Sequence, residues 1–132
     1  MSNPILIGKL KLAIGVDGRC SIMPPRATDI WVLRSLAYIP NDTSAANDTN
    51  YATIRPYKGT GTGTPLAAAR PTTVAGGALT AGTAEVLALT AVGADLEITQ
   101  ANPLTIQQTH TASGIATDLE VVAEFEWQKR GA

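Results

Sequence analysis

The segment ANPLTIQQTHTASGIATDLEVVAEFEW, residues 101–127, holds the chain's one histidine, His110, with Ser113 and Asp118 close by. A nucleophile, a base and an orienting acid are the ingredients of a hydrolytic triad. That chemistry wants the serine on a strained, exposed elbow such as G-x-S-x-G, and nothing of the kind surrounds Ser113. The pattern predicts a hairpin end instead. Ser113-Gly114 makes the bend, His110 closes one strand, and Asp118 starts the next on its polar face. Catalysis is not expected here, nor from a Cys20–His110 dyad, because a lone cysteine usually serves as a small core residue.

Metal and phosphate readings are equally thin. One histidine and one cysteine cannot close a zinc site. Two Asn-Asp-Thr triplets offer oxygens from Asn41, Asp42, Asn47 and Asp48, but without the D-x-D-x-D-G spacing of a calcium loop. Both triplets match N-x-[ST], which matters only on a secretory route. KGTGTGTP at 58–65 has neither the P-loop pattern nor G-x-G-x-x-G, and reads as a flexible loop. Glu120, Glu124 and Glu126 form a stripe that is most simply a solvated strand face. The expectation is a protein that is no enzyme and carries no cofactor or metal.

The elements that position these residues are strands. The 132 residues fit one domain with its own core. Charged residues are only 16%, and the remainder is rich in Thr, Ala and Gly, which suits strands and turns. Ten basic against eleven acidic residues give a net charge of −1, without the footprint of a nucleic-acid binder. No apolar run approaches the roughly 20 residues of a membrane helix. MSNPILIGKL lacks the layout of a secretory signal, and a single cysteine permits no internal disulfide, so a reducing compartment is expected.

Residues 6–16 put Leu6, Leu10, Leu12, Ile14 and Val16 on one parity, which predicts a strand, followed by a turn at DGRC, 17–20. Residues 30–39, IWVLRSLAYI, are apolar on both faces: Ile30, Val32, Leu36 and Tyr38 on one, Trp31, Leu33, Ala37 and Ile39 on the other. Such a strand must be covered on both sides, which points to oligomerisation. YATIRPYK at 51–58 reads as a strand, with Pro56 placing it near an edge. The next 25 residues are mostly Gly, Thr, Ala and Pro, an excursion that hides a short strand near Thr72–Val74 or touches a neighbour. Strands follow at 84–90, at 94–100 with Ala94, Leu96 and Ile98 inward, and at 104–111. The clearest strand starts at Thr117, with Leu119, Val121, Ala123, Phe125 and Trp127 on its apolar face and Val122 interrupting the acidic one. The sum is an all-β chain. It reads as a single, mostly antiparallel β-sandwich of jelly-roll type, with an extended arm at 1–8 and a long loop at 58–83.

The C-terminal half, AGTAEVLALTAVGADLEITQANPLTIQQTHTASGIATDLEVVAEFEW, resembles the small β-sandwich proteins that decorate the heads of tailed bacteriophages. In that pattern a Gly-Asp turn precedes a strand ending in G-x-G; here Ala101-Asn102-Pro103 replaces the former, and the later turn reads Ala112-Ser113-Gly114. The resemblance covers about 50 residues and is one of pattern. It implies a structural virion protein on the outer capsid surface, made in the host cytoplasm. Such a protein cements adjacent copies of the major capsid protein and forms a homo-oligomer, with a trimer favoured. No nucleic-acid or membrane partner is expected. The residues expected at capsid or subunit contacts are Ile5, Leu6 and Ile7 in the arm, Trp31, Leu33 and Tyr38 in the two-faced strand, and Pro65, Leu66 and Arg70 in the loop. A tail, baseplate or fibre component, and a carbohydrate-binding or adhesion module, are the competing readings.

Overall fold

The structure, a computed structural model, describes residues 3–60 and 63–128, with the side chains of Trp127 and Gln128 left out. Ten strands form two antiparallel sheets. The first sheet runs β1 (Ile5–Leu12), β10 (Thr117–Gln128), β3 (Ile30–Pro40), with the short β7 (Glu85–Val86) and β8 (Glu97–Ile98) sharing the far edge of β3. The second runs β2 (Gly18–Ile22), β9 (Leu104–Thr111), β4 (Tyr51–Lys58), with β5 (Thr64–Pro65) and β6 (Arg70–Pro71) on the far edge of β4. The hairpin made by the chain's two ends, β1–β2 against β10–β9, lies beside β3–β4, and each of these pairs is split between the sheets. That is the jelly-roll order, so the all-β, jelly-roll-like sandwich expected from the sequence is the fold.

The core fills the space between the sheets. Leu10, Leu33, Leu36, Tyr38, Leu119, Val121, Ala123 and Phe125 come from the first sheet; Ile22, Ile54, Leu104 and Ile106 come from the second. Trp31 tilts against Phe125 with ring centroids 5.6 Å apart.

The apolar strand at 30–39 is not two-faced. Opposite β10 its register slips by one residue: Ser35 faces Glu124, while Leu33 faces Phe125. The extra residue is Arg34, which is exposed. A β-bulge lets two consecutive residues share the outer side, so Trp31 and Leu33 join Leu36 and Tyr38 on the core face. Strict alternation would have turned Arg34 inward between Val32 and Leu36, and an unpaired buried charge is expensive. The argument for an oligomer from a second apolar face of this strand therefore falls away.

Four other expectations need correction. Residues 5–8 are not a free arm: they open β1, paired with β10, and Pro4 O accepts from Phe125 N at 2.9 Å; Met1 and Ser2 lie outside the described residues. Strand 6–16 ends at Leu12, Ile14 and Val16 sit exposed in the turn, and Gly18–Cys20 belong to β2. The segments 84–90 and 94–100 shrink to β7, a 3₁₀ turn at Gly93–Leu96 and β8; Ala94 is exposed there, while Ile98 is buried. The 58–83 excursion is folded onto the domain. Leu66 and Leu79 are buried in the core, Leu66 N donates to Pro56 O at 3.0 Å, and Leu79 exchanges two backbone bonds with Ser44. Its short strands are at 64–65 and 70–71, just ahead of the expected 72–74.

The bulge account makes a sharp prediction. Deleting Arg34 restores regular alternation with the same inward set, so it costs under about 1 kcal/mol, the scale of the exposed ion pair that is lost. Truncating Phe125→Ala, which opens a hole in the same strand pair, costs about 3–5 kcal/mol. Urea melts of both variants give the comparison; a deletion as damaging as the truncation contradicts the account.

Candidate functional site

The sandwich gathers the polar candidates at one end, where the β1–β2 turn, the β3–β4 loop and the β9–β10 turn meet. Gly114 makes the last of these possible. Its φ is +66°, and a Cβ there would stand 2.8 Å from the Cβ of His110. His110 does have a carboxylate partner, but it is Asp17, with Nδ1 and Oδ1 2.6 Å apart. Asp118 is committed elsewhere. Asn41 Nδ2 donates to its Oδ1 at 3.0 Å and Lys9 Nζ lies at 3.7 Å. The Asn41 bond, the largest influence, holds the Asp118 carboxyl below its ordinary range; desolvation opposes it, and Lys9 and Lys11 add to the lowering. Ser113 gives its backbone N–H to Asn50 Oδ1 at 3.0 Å. Among the described residues no hydrogen bond joins His110 to Ser113 or Asp118, so the triad is not assembled.

The Asn-Asp-Thr triplets spend side-chain oxygens and amides on backbone and neighbouring segments. Asn47 Oδ1 accepts from the N–H groups of Thr49 and Asn50, both at 2.7 Å, and Asp48 Oδ1 accepts from Val74 N at 2.9 Å. Among the described residues no group of three or more His, Cys, Asp or Glu side chains is placed to hold a metal ion. Lys58, at the head of the glycine-rich loop, donates to Ala94 O at 2.6 Å. A groove of about 610 Å³ remains at this end. Leu12, Ile14, Ile115 and Ala116 give it apolar walls, and Asp42, Asp118 and Lys11 stand among its polar lining.

Cys20 points from β2 toward the core, on a strand away from any base. The register pairs it with Ile106, four residues along β9 from His110, or about 13 Å at the usual strand rise. Burial pushes its thiol up to about 11.

The contact residues expected from the sequence separate into two groups. Trp31, Leu33, Tyr38 and Leu66 are core residues and cannot reach a partner from the folded chain. Burial, with smaller contributions from Cys20 and Glu85, raises the ionisation of the Tyr38 phenol. Leu6 packs inward against the same core. Arg70 is a staple. Its Nε and Nη2 grip Glu85 at 2.7 and 3.0 Å, and its Nη atoms reach the carbonyls of Pro71, Gly77 and Ala78 at 2.6, 2.9 and 3.1 Å. Pro65 stays exposed, as do Ile5 and Ile7.

Ile5 and Ile7 belong to a larger surface, the outer face of the first sheet. The registers align Ile7, Val122, Ala37 and Val86 in one row across four strands. Ile7 is 64% exposed, Val86 76% and Ile5, on the next row, 58%. Charges frame the row. Lys9, Glu120 and Ile39 share the row on one side, and Glu124, held by Ser35 Oγ at 3.3 Å, lies on the other. Arg34 and Glu126 pair at 3.3 Å farther along. Val122 interrupting the acidic stripe, and isoleucines alternating against Leu6, were the sequence signals for this row. What they lacked was the register that brings them together.

No family model, no curated protein and no solved structure matches this chain.

The Cys20 environment predicts a pH response. Above about pH 9 the unfolded thiol ionises while the folded one keeps its proton up to about 11, so the native state binds more protons and stability falls as pH rises. Thermal melts of Cys20→Ala are expected to show a shallower decline between pH 9 and 10 than the parent; identical slopes contradict it.

Proposed function

We propose that the chain is a structural virion protein that decorates and cements the outside of a tailed-phage capsid, docking on the major capsid protein through the outer face of its first sheet. The observation that carries this reading is the apolar row Ile7–Val122–Ala37–Val86, exposed at both ends and framed by charges of both signs. An apolar centre with a polar rim is the layout of a protein interface, and the rim charges fix its register.

The size of the face suits a cement. Three strands about 4.8 Å apart and at least eight residues long at about 3.4 Å each, with the two-residue β7 at their edge, cover roughly 400 Å², below the ~800 Å² per partner of a standard stable complex. One copy alone binds modestly; many copies on a repeating lattice hold it collectively. A trimer is the unit in this reading, set by the shell's three-fold positions rather than by strand β3. The jelly-roll order agrees with such a role but does not carry it, since one fold hosts many functions.

The test is co-sedimentation of the purified chain with capsids assembled from the major capsid protein of the same genome. Ile7→Asp and Val86→Asp place charges in the row at exposed positions, so they are expected to leave the melting temperature unchanged and weaken capsid binding at least about tenfold. A chain that does not co-sediment, or variants that bind as well as the parent, contradict the proposal.

A further inference from the structure

The opposite outer face, on the second sheet, has a different chemistry. Strand alternation puts Tyr51, Thr53, Arg55 and Tyr57 of β4, Gln107, Thr109 and Thr111 of β9, and Arg19 and Ser21 of β2 on its outward side. The registers align Arg19, Gln107 and Arg55 in a single row. No carboxylate stands on the outward side of these three strands, whereas the first sheet's outer face carries Asp118, Glu120, Glu124 and Glu126 on one strand. The carboxylates of the two faces thus stand on the first sheet, beside Lys9, Lys11 and Arg34, while Arg19 and Arg55 on the second sheet have no acid beside them on these strands.

Within this face lies a cleft of about 210 Å³ lined by Thr53, Arg55, Tyr57, Ala69, Gln107 and Thr109. Ordinary pockets for larger ligands run from about 300 Å³ upward, so the cleft suits one small ring or group. Arg55 is held in place at its edge. Its Nε donates to Ala67 O at 3.0 Å, and its Cζ stands 6.0 Å from the centre of the Tyr57 ring. That leaves the two terminal guanidinium nitrogens, the pair suited to an anionic oxygen group, free of described partners. Gln107 lines the cleft as well, and its side-chain oxygen is buried without a partner. Thr53 and Thr109 add hydroxyls that both donate and accept.

We propose that this cleft binds an acidic sugar residue, with the carboxylate or sulfate of the ring held by Arg55, supported by Arg19, and the ring hydroxyls met by Gln107, Thr53 and Thr109. Two features favour a sugar over a nucleic acid. Only two cations serve the row, which is little for a polyanionic backbone, and the rest of the lining is neutral hydrogen-bonding groups suited to hydroxyls. The site lies on the opposite sheet from the proposed capsid contact, so both can be occupied together, and neither reading depends on the other.

The experiment is an amide NMR titration of the full chain with four probes: D-galacturonic acid, D-galactose, inorganic phosphate and a single-stranded oligonucleotide. The proposal expects saturable shifts centred on β4 and β9 with galacturonic acid, at an affinity at least about tenfold above that for galactose or phosphate. Arg55→Ala and Gln107→Ala are each expected to weaken that binding about fivefold or more while the remaining spectrum stays that of the folded chain. Gln107→Ala keeps the test decisive if the loss of the Arg55–Ala67 bond disturbs the neighbouring loop. Three results overturn the proposal: no saturable shift, equal binding of galactose, or equal binding of phosphate, which would mark a plain anion site. Tighter binding of a single-stranded oligonucleotide overturns it as well.

Discussion

The molecule depends on one bulge in one strand pair. β3 and β10 are the two central strands of the first sheet, and between them they carry Trp31, Leu33, Leu36, Tyr38, Leu119, Val121, Ala123 and Phe125 into the core. A regular β3 would have set half of its apolar residues against solvent and a guanidinium against the core. Placing Arg34 opposite the Glu124–Phe125 step reconciles the two halves of the strand. The same choice defines what is left outside. Ala37 beside Val122, with Ile7 and Val86 at the ends, becomes the apolar row, and Arg34 and Ser35 become polar partners of Glu126 and Glu124.

Much of the fold was legible because period-two patterning survives wherever a strand is half-buried. β4 and β9 begin and end where the sequence put them, and β3 and β10 do so to within a residue. The failures have particular causes. Ile14 and Val16 keep the parity of β1, so alternation ran on past Leu12, although Gly15 with φ +74° already breaks the strand. Leu66 and Leu79 are single core residues in a run of small ones, and no periodicity announces a plug of one side chain. A bulge, finally, is invisible to any parity count, because the count assumes that no residue is extra.

The site was less legible than the fold, since it is built from distant segments. His110 and Asp17 are 93 residues apart and meet only because β2 and β9 pair. Arg70, expected at a surface contact, spends its guanidinium on Glu85 and three carbonyls, a role that needs the loop's path to be known. The polar end of the sandwich is held together by bonds between its loops and strand ends. The two broad sheet faces differ in chemistry: one is apolar with charges of both signs around it, the other is donor-rich.

The central claim is that the first sheet's outer face meets the capsid. Electron cryomicroscopy of decorated shells tests it directly, because the two faces of a sandwich are distinguishable by strand order. The account predicts density with β1, β10 and β3 lying flat on the shell, Ile7 and Val86 covered, and β2, β9 and β4 turned to the medium. Density that seats the second sheet or the loop end on the shell, or leaves Ile7 and Val86 open to solvent, would contradict it.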